Sequence, residues 1–359
     1  MNAAMKVAAG ILLLTGATLS GCHGPEGDRT ATDAGTVHEA AIVFDAHAHP
    51  NATGSDSLAP DGSEWTMETD VGPMVEGGMD AVFFSVPLLV REGVGGPDSV
   101  RIFTDAQFIV EAVEAAGNQA GMAYSAEEVR ALHARGGRAI LLGIEAGDPI
   151  GRDLSLLERY HAAGIRMITV ALQPDATPGA GEVEPEGPPL GPFGRQLVET
   201  MNRVGIIIDI THCPERQQAE IIAASVQPVV ASHSNARALH PIARELPDSI
   251  ILAIAERGGM VGVTFHPGHM SEDYEESPVT VETLVDHIDH MVRLAGVDHV
   301  GFGSDFIGGG TETVGLETPA GLPNITRALL DRGYATEDIH KILGGNLLRV
   351  LEEVQGGGG

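Results

Sequence analysis

The sequence predicts an α/β protein closed as a (β/α)8 barrel, the TIM-barrel architecture, on three observations. From residue 41 onward, short apolar β-rich runs alternate with longer segments of helical periodicity, the pattern of a parallel sheet covered by helices. Eight such runs occur, the number that closes a barrel. No glycine-rich phosphate fingerprint follows the first run, which argues against an open, doubly wound sheet.

The runs, in order, are Ile42–Asp45, Ala81–Val86, Ala139–Ile144, Arg166–Ala171, Gly205–Ile210, Pro228–Ser232, Met260–Phe265 and His299–Ser304. Each has four to six residues, the length of a buried strand, and each is rich in branched or aromatic side chains. Helical spacing of apolar residues predicts helices over Ser99–Ala116, Ala126–Arg135, Leu154–Ala163, Pro192–Val204, Arg216–Ala224, Pro247–Arg257, Val281–Ala295 and Ala320–Arg332, with a last one around Ala335–Val354. Glu182–Pro192 and Gly308–Pro323 are rich in proline and glycine and read as loops over one face.

Ahead of the barrel, Lys6 leads into an apolar stretch, Val7–Leu19, too short to span a bilayer. Residues 1–21 are therefore expected to be a signal peptide of the lipoprotein type, because Leu19-Ser20-Gly21-Cys22 resembles a bacterial lipobox. Cys22 is the expected lipidation site and its anchor the expected membrane partner, which places the protein outside the cytoplasm, at the periplasmic face of a bacterial membrane, with the outer membrane favoured. Residues 22–40 are polar and small and read as a flexible tether; residues 41–355 form the barrel domain. With Cys22 acylated, Cys213 has no partner and no intrachain disulfide is expected.

A formal charge of −29, from 50 acidic and 21 basic residues, excludes attraction to a phosphate backbone, so nucleic acid is not an expected partner. Aromatic residues make up only 4% and glycines number 47, which suits a tightly wound α/β domain better than an aromatic-rich sandwich.

In such a barrel the chemistry sits at the C-terminal ends of the strands, and five of them carry candidate ligands. The first ends in Asp45-Ala46-His47-Ala48-His49; two residues apart in extended chain, His47 and His49 point to the same side and can grip one ion. The third ends in Glu145, the fifth in Thr211-His212, the sixth in Ser232-His233 and the eighth in Ser304-Asp305. Imidazole and carboxylate suit zinc and similar divalent ions, and a carboxylate with two oxygens can bridge a pair that holds a hydroxide at neutral pH. The fold is thus expected to be of the metal-dependent hydrolase type. His133, His161, His287, His290 and His340 fall in helical segments and are expected to be solvated or capping, whereas His266 and His269 follow strand seven and can line the pocket. Strand alternation points Cys213 away from the site, as a buried thiol.

Several longer motifs resemble the membrane (renal) dipeptidase family of zinc peptidases, a branch of the amidohydrolase-like barrels. They are Ser232-His233-Ser234-Asn235-Ala236-Arg237, Arg244-Glu245-Leu246-Pro247-Asp248, Val300-Gly301-Phe302-Gly303-Ser304-Asp305-Phe306 and Gly344-Gly345-Asn346-Leu347-Leu348-Arg349-Val350. The resemblance implies two zinc ions per chain, other divalent ions being possible, with Glu145 bridging them. His47 and its neighbour two residues on complete one site, and His212 and His233 the other. It further implies that Asp305 handles the proton, that Arg244 holds the C-terminal carboxylate of a dipeptide substrate, and that the chain forms a homodimer.

Three positions depart from the family pattern. His49 stands where an aspartate is usual, Leu172 where strand four usually ends in a histidine contacting the reacting carbonyl, and Ile307 where an aspartate often follows the phenylalanine. Losing one donor to the developing oxyanion typically costs roughly 10²–10³ in turnover. The expected activity is thus a metal-dependent dipeptidase. The alternatives are a hydrolase of another small substrate, a lactone or cyclic amide, and a catalytically weak metal-binding lipoprotein. Glu145 and Asp305 argue against the last, since a scaffold needs neither.

Overall fold

The structure is a computed structural model, and it describes residues 33–51, 65–86, 99–145, 150–170, 187–307 and 310–356. The signal segment, Cys22 and Leu172 lie outside the described residues.

The strands are β1 (Val43–Ala48), β2 (Met79–Val86), β3 (Ala120–Met122), β4 (Arg138–Ile144), β5 (Ile165–Thr169), β6 (Ile207–Asp209), β7 (Val229–Ala231), β8 (Met260–Val263) and β9 (Val300–Phe302). The helices are α1 (Ala34–Ala40), α2 (Glu68–Glu76), α3 (Ser99–Ala115), α4 (Ala126–Ala134), α5 (Ser155–Ala162), α6 (Gly191–Val204), α7 (Glu215–Ala224), α8 (Asp248–Glu256), α9 (Val281–Ala295), α10 (Pro323–Asp331), α11 (Thr336–His340) and α12 (Asn346–Gly356). All strand pairs are parallel, in the order β1-β2-β4-β5-β6-β7-β8-β9. The ring is drawn shut beyond the strands' ends, where Asp305 N–H donates to His47 O at 2.9 Å and His49 N–H to Phe306 O at 2.9 Å. This is the expected nearly closed (β/α)8 barrel.

Three elements depart from expectation. β3 pairs with Arg138–Ile140 of β4, below the stretch that β5 uses, so two short strands share one edge. Its Ala-Gly-Met sequence carries no branched residue to announce a strand. α2 was not anticipated because Gly72 and Pro73 interrupt its helical signal. The last seven residues of the expected tether form α1, capped by Asp33, whose carboxylate accepts Thr36 N–H at 3.1 Å. Val37 and His38 of α1 are buried, and the imidazole is fixed between Thr326 Oγ1 (2.7 Å) and Gly77 O (2.8 Å).

Strand alternation separates two apolar layers. Phe44, Phe83, Leu141, Met167, Ile207, Val230 and Met260 pack together in the barrel interior with Leu347, Leu348, Val350, Leu351 and Val354 of α12, which touches β1, β6, β8 and β9. The last helix thus plugs one end of the barrel. Its approach depends on Gly344: a Cβ there would lie 2.3 Å from Ile42 O. The other end is left to polar side chains.

Candidate metal centre

β1 and the residue after it deliver Asp45, His47 and His49 in alternation, with a register irregularity against β2 between Asp45 and Ala48. Glu145 immediately follows β4, His212 lies three residues beyond β6, His233 two beyond β7 and Asp305 three beyond β9. Separated by up to 258 residues in sequence, from 47 to 305, the six candidate ligands His47, His49, Glu145, His212, His233 and Asp305 meet.

Glu145 is the hub. Its Oε2 lies 3.3 Å from His47 Nε2 and 3.2 Å from His49 Nε2, while Oε1 lies 2.9 Å from His212 Nε2 and 3.5 Å from His233 Nε2. Each oxygen therefore faces one histidine pair. Asp305 Oδ1 adds a further acceptor, 3.8 Å from His47 and 3.5 Å from His49. His212 and Asp305 are the only non-glycine residues with positive φ among the described residues, at 64° and 58°. A left-handed backbone costs a non-glycine residue of order 1–3 kcal/mol and is held only where the surroundings impose it. Both turns swing their side chains back over the barrel mouth.

A layer of buried acids orients these groups. Asp45 accepts His47 N–H (3.1 Å) and Ser304 N–H (2.8 Å), as well as the Ser304 hydroxyl. Asp209 Oδ1 accepts Thr211 N–H (3.0 Å), Thr211 Oγ1 (2.8 Å) and Ser232 N–H (2.9 Å), and its Oδ2 accepts Thr169 Oγ1 (2.7 Å) and Ser232 Oγ (2.7 Å). With its proton given to Asp209, Ser232 Oγ accepts from His233 Nδ1 at 2.8 Å. That fixes the proton on Nδ1 and leaves the Nε2 lone pair facing Glu145. Gly303 permits the close packing, since a Cβ there would lie 2.0 Å from Ser232 O.

The electrostatics suit a cation. Burial works to raise the Glu145 carboxyl, but the histidines around it, His47 first and then His212 and His233, overcome it and hold it well below the usual carboxylate range. Burial and the neighbouring His47 push His233 down to about 3, and burial and Arg244 lower His212, so both imidazoles are neutral donors of a lone pair. His47 Nε2 and His49 Nε2 converge at 3.4 Å, and His212 Nε2 and His233 Nε2 at 3.1 Å. Converging nitrogen lone pairs beside carboxylates are reconciled by a divalent ion. Three overlapping sets can each surround one: His47, His49 and Glu145; Glu145, His212 and His233; and His47, His233 and Asp305.

Arg244 is 2% exposed; its guanidinium donates to Ser234 Oγ (2.7 Å) and to His233 O (2.8 Å), while Nε meets no acceptor. Among the described residues no carboxylate pairs with it. The adjacent Glu245 is engaged elsewhere, by Asn235 N–H and by His269 Nδ1 at 2.7 Å. His266 and His269 remain outside the ligand sets. Cys213 is buried, its thiol donating to Val170 O at 2.7 Å, as expected of a thiol turned away from the site. His287, expected on a solvated helix face, is instead buried and accepts Ala236 N–H at 3.1 Å.

The orienting acids were the functional residues not foreseen. Their signal is an aspartate near a strand end two or three residues before a candidate ligand: Asp45 before His47 and Asp209 before His212.

Comparison with known proteins gives one answer. The profile of the membrane dipeptidase family, peptidase family M19, matches residues 31–357. Dipeptidase tcpJ of Claviceps purpurea is 34% identical over 295 residues, spanning 80% of this chain and 69% of that protein. Among solved structures, the probable dipeptidase PvdM of Pseudomonas aeruginosa superposes with a TM-score of 0.76 at 27% identity, covering 90% of this chain and 98% of that one. A metallopeptidase of Rhodobacter sphaeroides, liganded with a phosphinate mimic of the dipeptide L-Ala-D-Ala, gives 0.72 at 27% identity over 88% of this chain and 99% of that one. The chain belongs to the membrane dipeptidase family of metallopeptidases.

Proposed function

We propose that this protein is a dizinc dipeptidase that cleaves small dipeptides at the envelope of a bacterium. The observation that carries the reading is Glu145, with one carboxylate oxygen toward each of two histidine pairs. His47 and His49 would hold one ion and His212 and His233 the other, with Asp305 beside the first. Two bound divalent ions supply Lewis acidity to the scissile carbonyl and lower the pKa of water. The chain's own groups do the rest. Against the opposing effect of burial, the histidines around Asp305, His49 first, hold its carboxyl below the usual carboxylate range, and it takes a proton from the attacking water and delivers it to the leaving amine. Arg244, buried and without a carboxylate partner among the described residues, receives the substrate's C-terminal carboxylate through Nε–H and the N–H groups that Ser234 and His233 leave open.

The mimic of L-Ala-D-Ala bound by the Rhodobacter protein supports a short substrate with a free C-terminus. The motif Leu19-Ser20-Gly21-Cys22 supports a lipid anchor on Cys22. His49 and Leu172, both departures from the family pattern, favour a second reading, a cyclic amide or lactone as substrate. Metal analysis of the soluble chain, followed by assay of a mixed-chirality dipeptide panel with and without chelator, decides between them. Chelator-sensitive dipeptide cleavage establishes the first reading; two metals without cleavage transfers the case to the second.

A further inference from the structure

Beside His49 lies a cavity of about 30 Å³ lined by His49, Asn51 and Asp70 together with apolar residues including Met74, Phe84 and Phe306, and Glu145 is not part of its lining. Nδ1 of His49 and Oδ1 of Asn51 are buried without a partner among the described residues. The Nε2 of His49 faces Glu145 and Asp305, at 3.2 and 3.5 Å, so the hydrogen of a neutral ligating imidazole sits on Nδ1. Buried N–H donors are almost never left orphaned, and a metal-ligating histidine almost always gives its second N–H to an acceptor. Asn51 Oδ1 is such an acceptor, and the two atoms form no direct hydrogen bond. The loop bearing Asn51 is pinned by Asp70, whose Oδ1 accepts Asn51 N–H at 2.9 Å and whose Oδ2 accepts Trp65 Nε1–H at 2.7 Å.

We propose that an ordered water in this cavity links His49 Nδ1–H to Asn51 Oδ1, making Asn51, and Asp70 behind it, positioning residues for His49. A water needs about 10–15 Å³ of such space and two to four polar partners; this cavity has the room, and it holds a donor, an acceptor and a carboxylate. The device matters here because the ligand is an imidazole. An aspartate at position 49 would have no second N–H to satisfy. The proposal rests on the two-metal reading above.

The test is a double-mutant cycle read as metal affinity, by competition with a chromophoric chelator, in Asn51→Leu, His49→Asp and the double variant. Asn51→Leu keeps the backbone N–H that Asp70 holds and fills the cavity with apolar atoms. In the His49 background it is expected to weaken one of two zinc equivalents about 10–100-fold, and in the His49→Asp background to change nothing. An equal loss in both backgrounds, or no loss in either, overturns the proposal while leaving the metal centre standing. A wild-type chain that binds no divalent ion removes the two-metal reading and this proposal with it. A high-resolution structure of the zinc-loaded wild type should show a water within about 3.2 Å of both atoms; a dry cavity overturns it equally.

Discussion

Asp209 offers the most quantitative perturbation of the site. It is fully buried and accepts five hydrogen bonds, three on Oδ1 and two on Oδ2. Asp209→Asn preserves the shape and can keep Oδ1 as an acceptor, but it places an NH₂ group against Thr169 Oγ1 and Ser232 Oγ, both of which donate in the wild type. Hydrogen bonds to a charged group contribute about 1.5–3 kcal/mol each. Loss of the two on Oδ2 should therefore cost at least about 3 kcal/mol of stability. Ser232 Oγ also fixes the His233 tautomer, so disturbing it should weaken the His212/His233 ion by about 10–100-fold, the usual effect of breaking a ligand's orienting partner. Guanidinium denaturation of the metal-free protein reads the first quantity, and chelator competition of the loaded protein the second. Wild-type values for both in Asp209→Asn would refute the claim that this carboxylate organises the site.

Other perturbations reach different parts of the account. Arg244→Met should raise KM for dipeptides by about 10–100-fold while leaving metal content at the wild-type level, and should have little effect on dipeptide amides; equal losses on both substrates would count against a carboxylate clamp. Gly303→Ala puts a Cβ 2.0 Å from Ser232 O and should destabilise the fold by about 1–3 kcal/mol or more, measured by chemical denaturation. His287 is pushed down to about 4 by burial, so in the folded chain it stays neutral as pH falls through 6.5, where the unfolded chain takes up the proton. Its contribution, present above pH 6.5, is thus lost between about 6.5 and 4, a difference of about 3 kcal/mol. Denaturation of wild type and His287→Gln at pH 7 and pH 4.5 should show that portion of the decline vanish in the variant, and parallel declines would show that His287 is not its source.

The barrel is legible because most of its strands, β2 and β4 above all, are largely apolar runs buried on both faces, and that composition survives without tertiary information. β3 was not, since three residues of Ala-Gly-Met take their strand character from the edge of β4 rather than from their own preferences. α1 reads as tether because its sequence, Ala-Gly-Thr-Val-His-Glu-Ala, carries a single large apolar anchor, Val37; what orders it is the docking of His38 against Thr326 and Gly77, far away in the chain. The six ligand candidates were legible from their positions at strand ends, a rule of the architecture. Asp45 and Asp209 were not, because a carboxylate at a strand end looks the same in sequence whether it faces an ion or anchors the loop beside it. His287 is hidden for a related cause: helical periodicity places it on α9 but does not reveal that Ala236 N–H needs an acceptor there.

The central claim is that Glu145 joins two ion sites used for dipeptide hydrolysis. The most direct test measures bound zinc per chain and L-Ala-D-Ala cleavage on the same preparations of wild type and Glu145→Gln. Two equivalents and chelator-sensitive cleavage are expected in the wild type, with both ions weakened and cleavage lost in the variant. A wild-type chain with one zinc or none, or a variant that still holds both ions tightly, would contradict it.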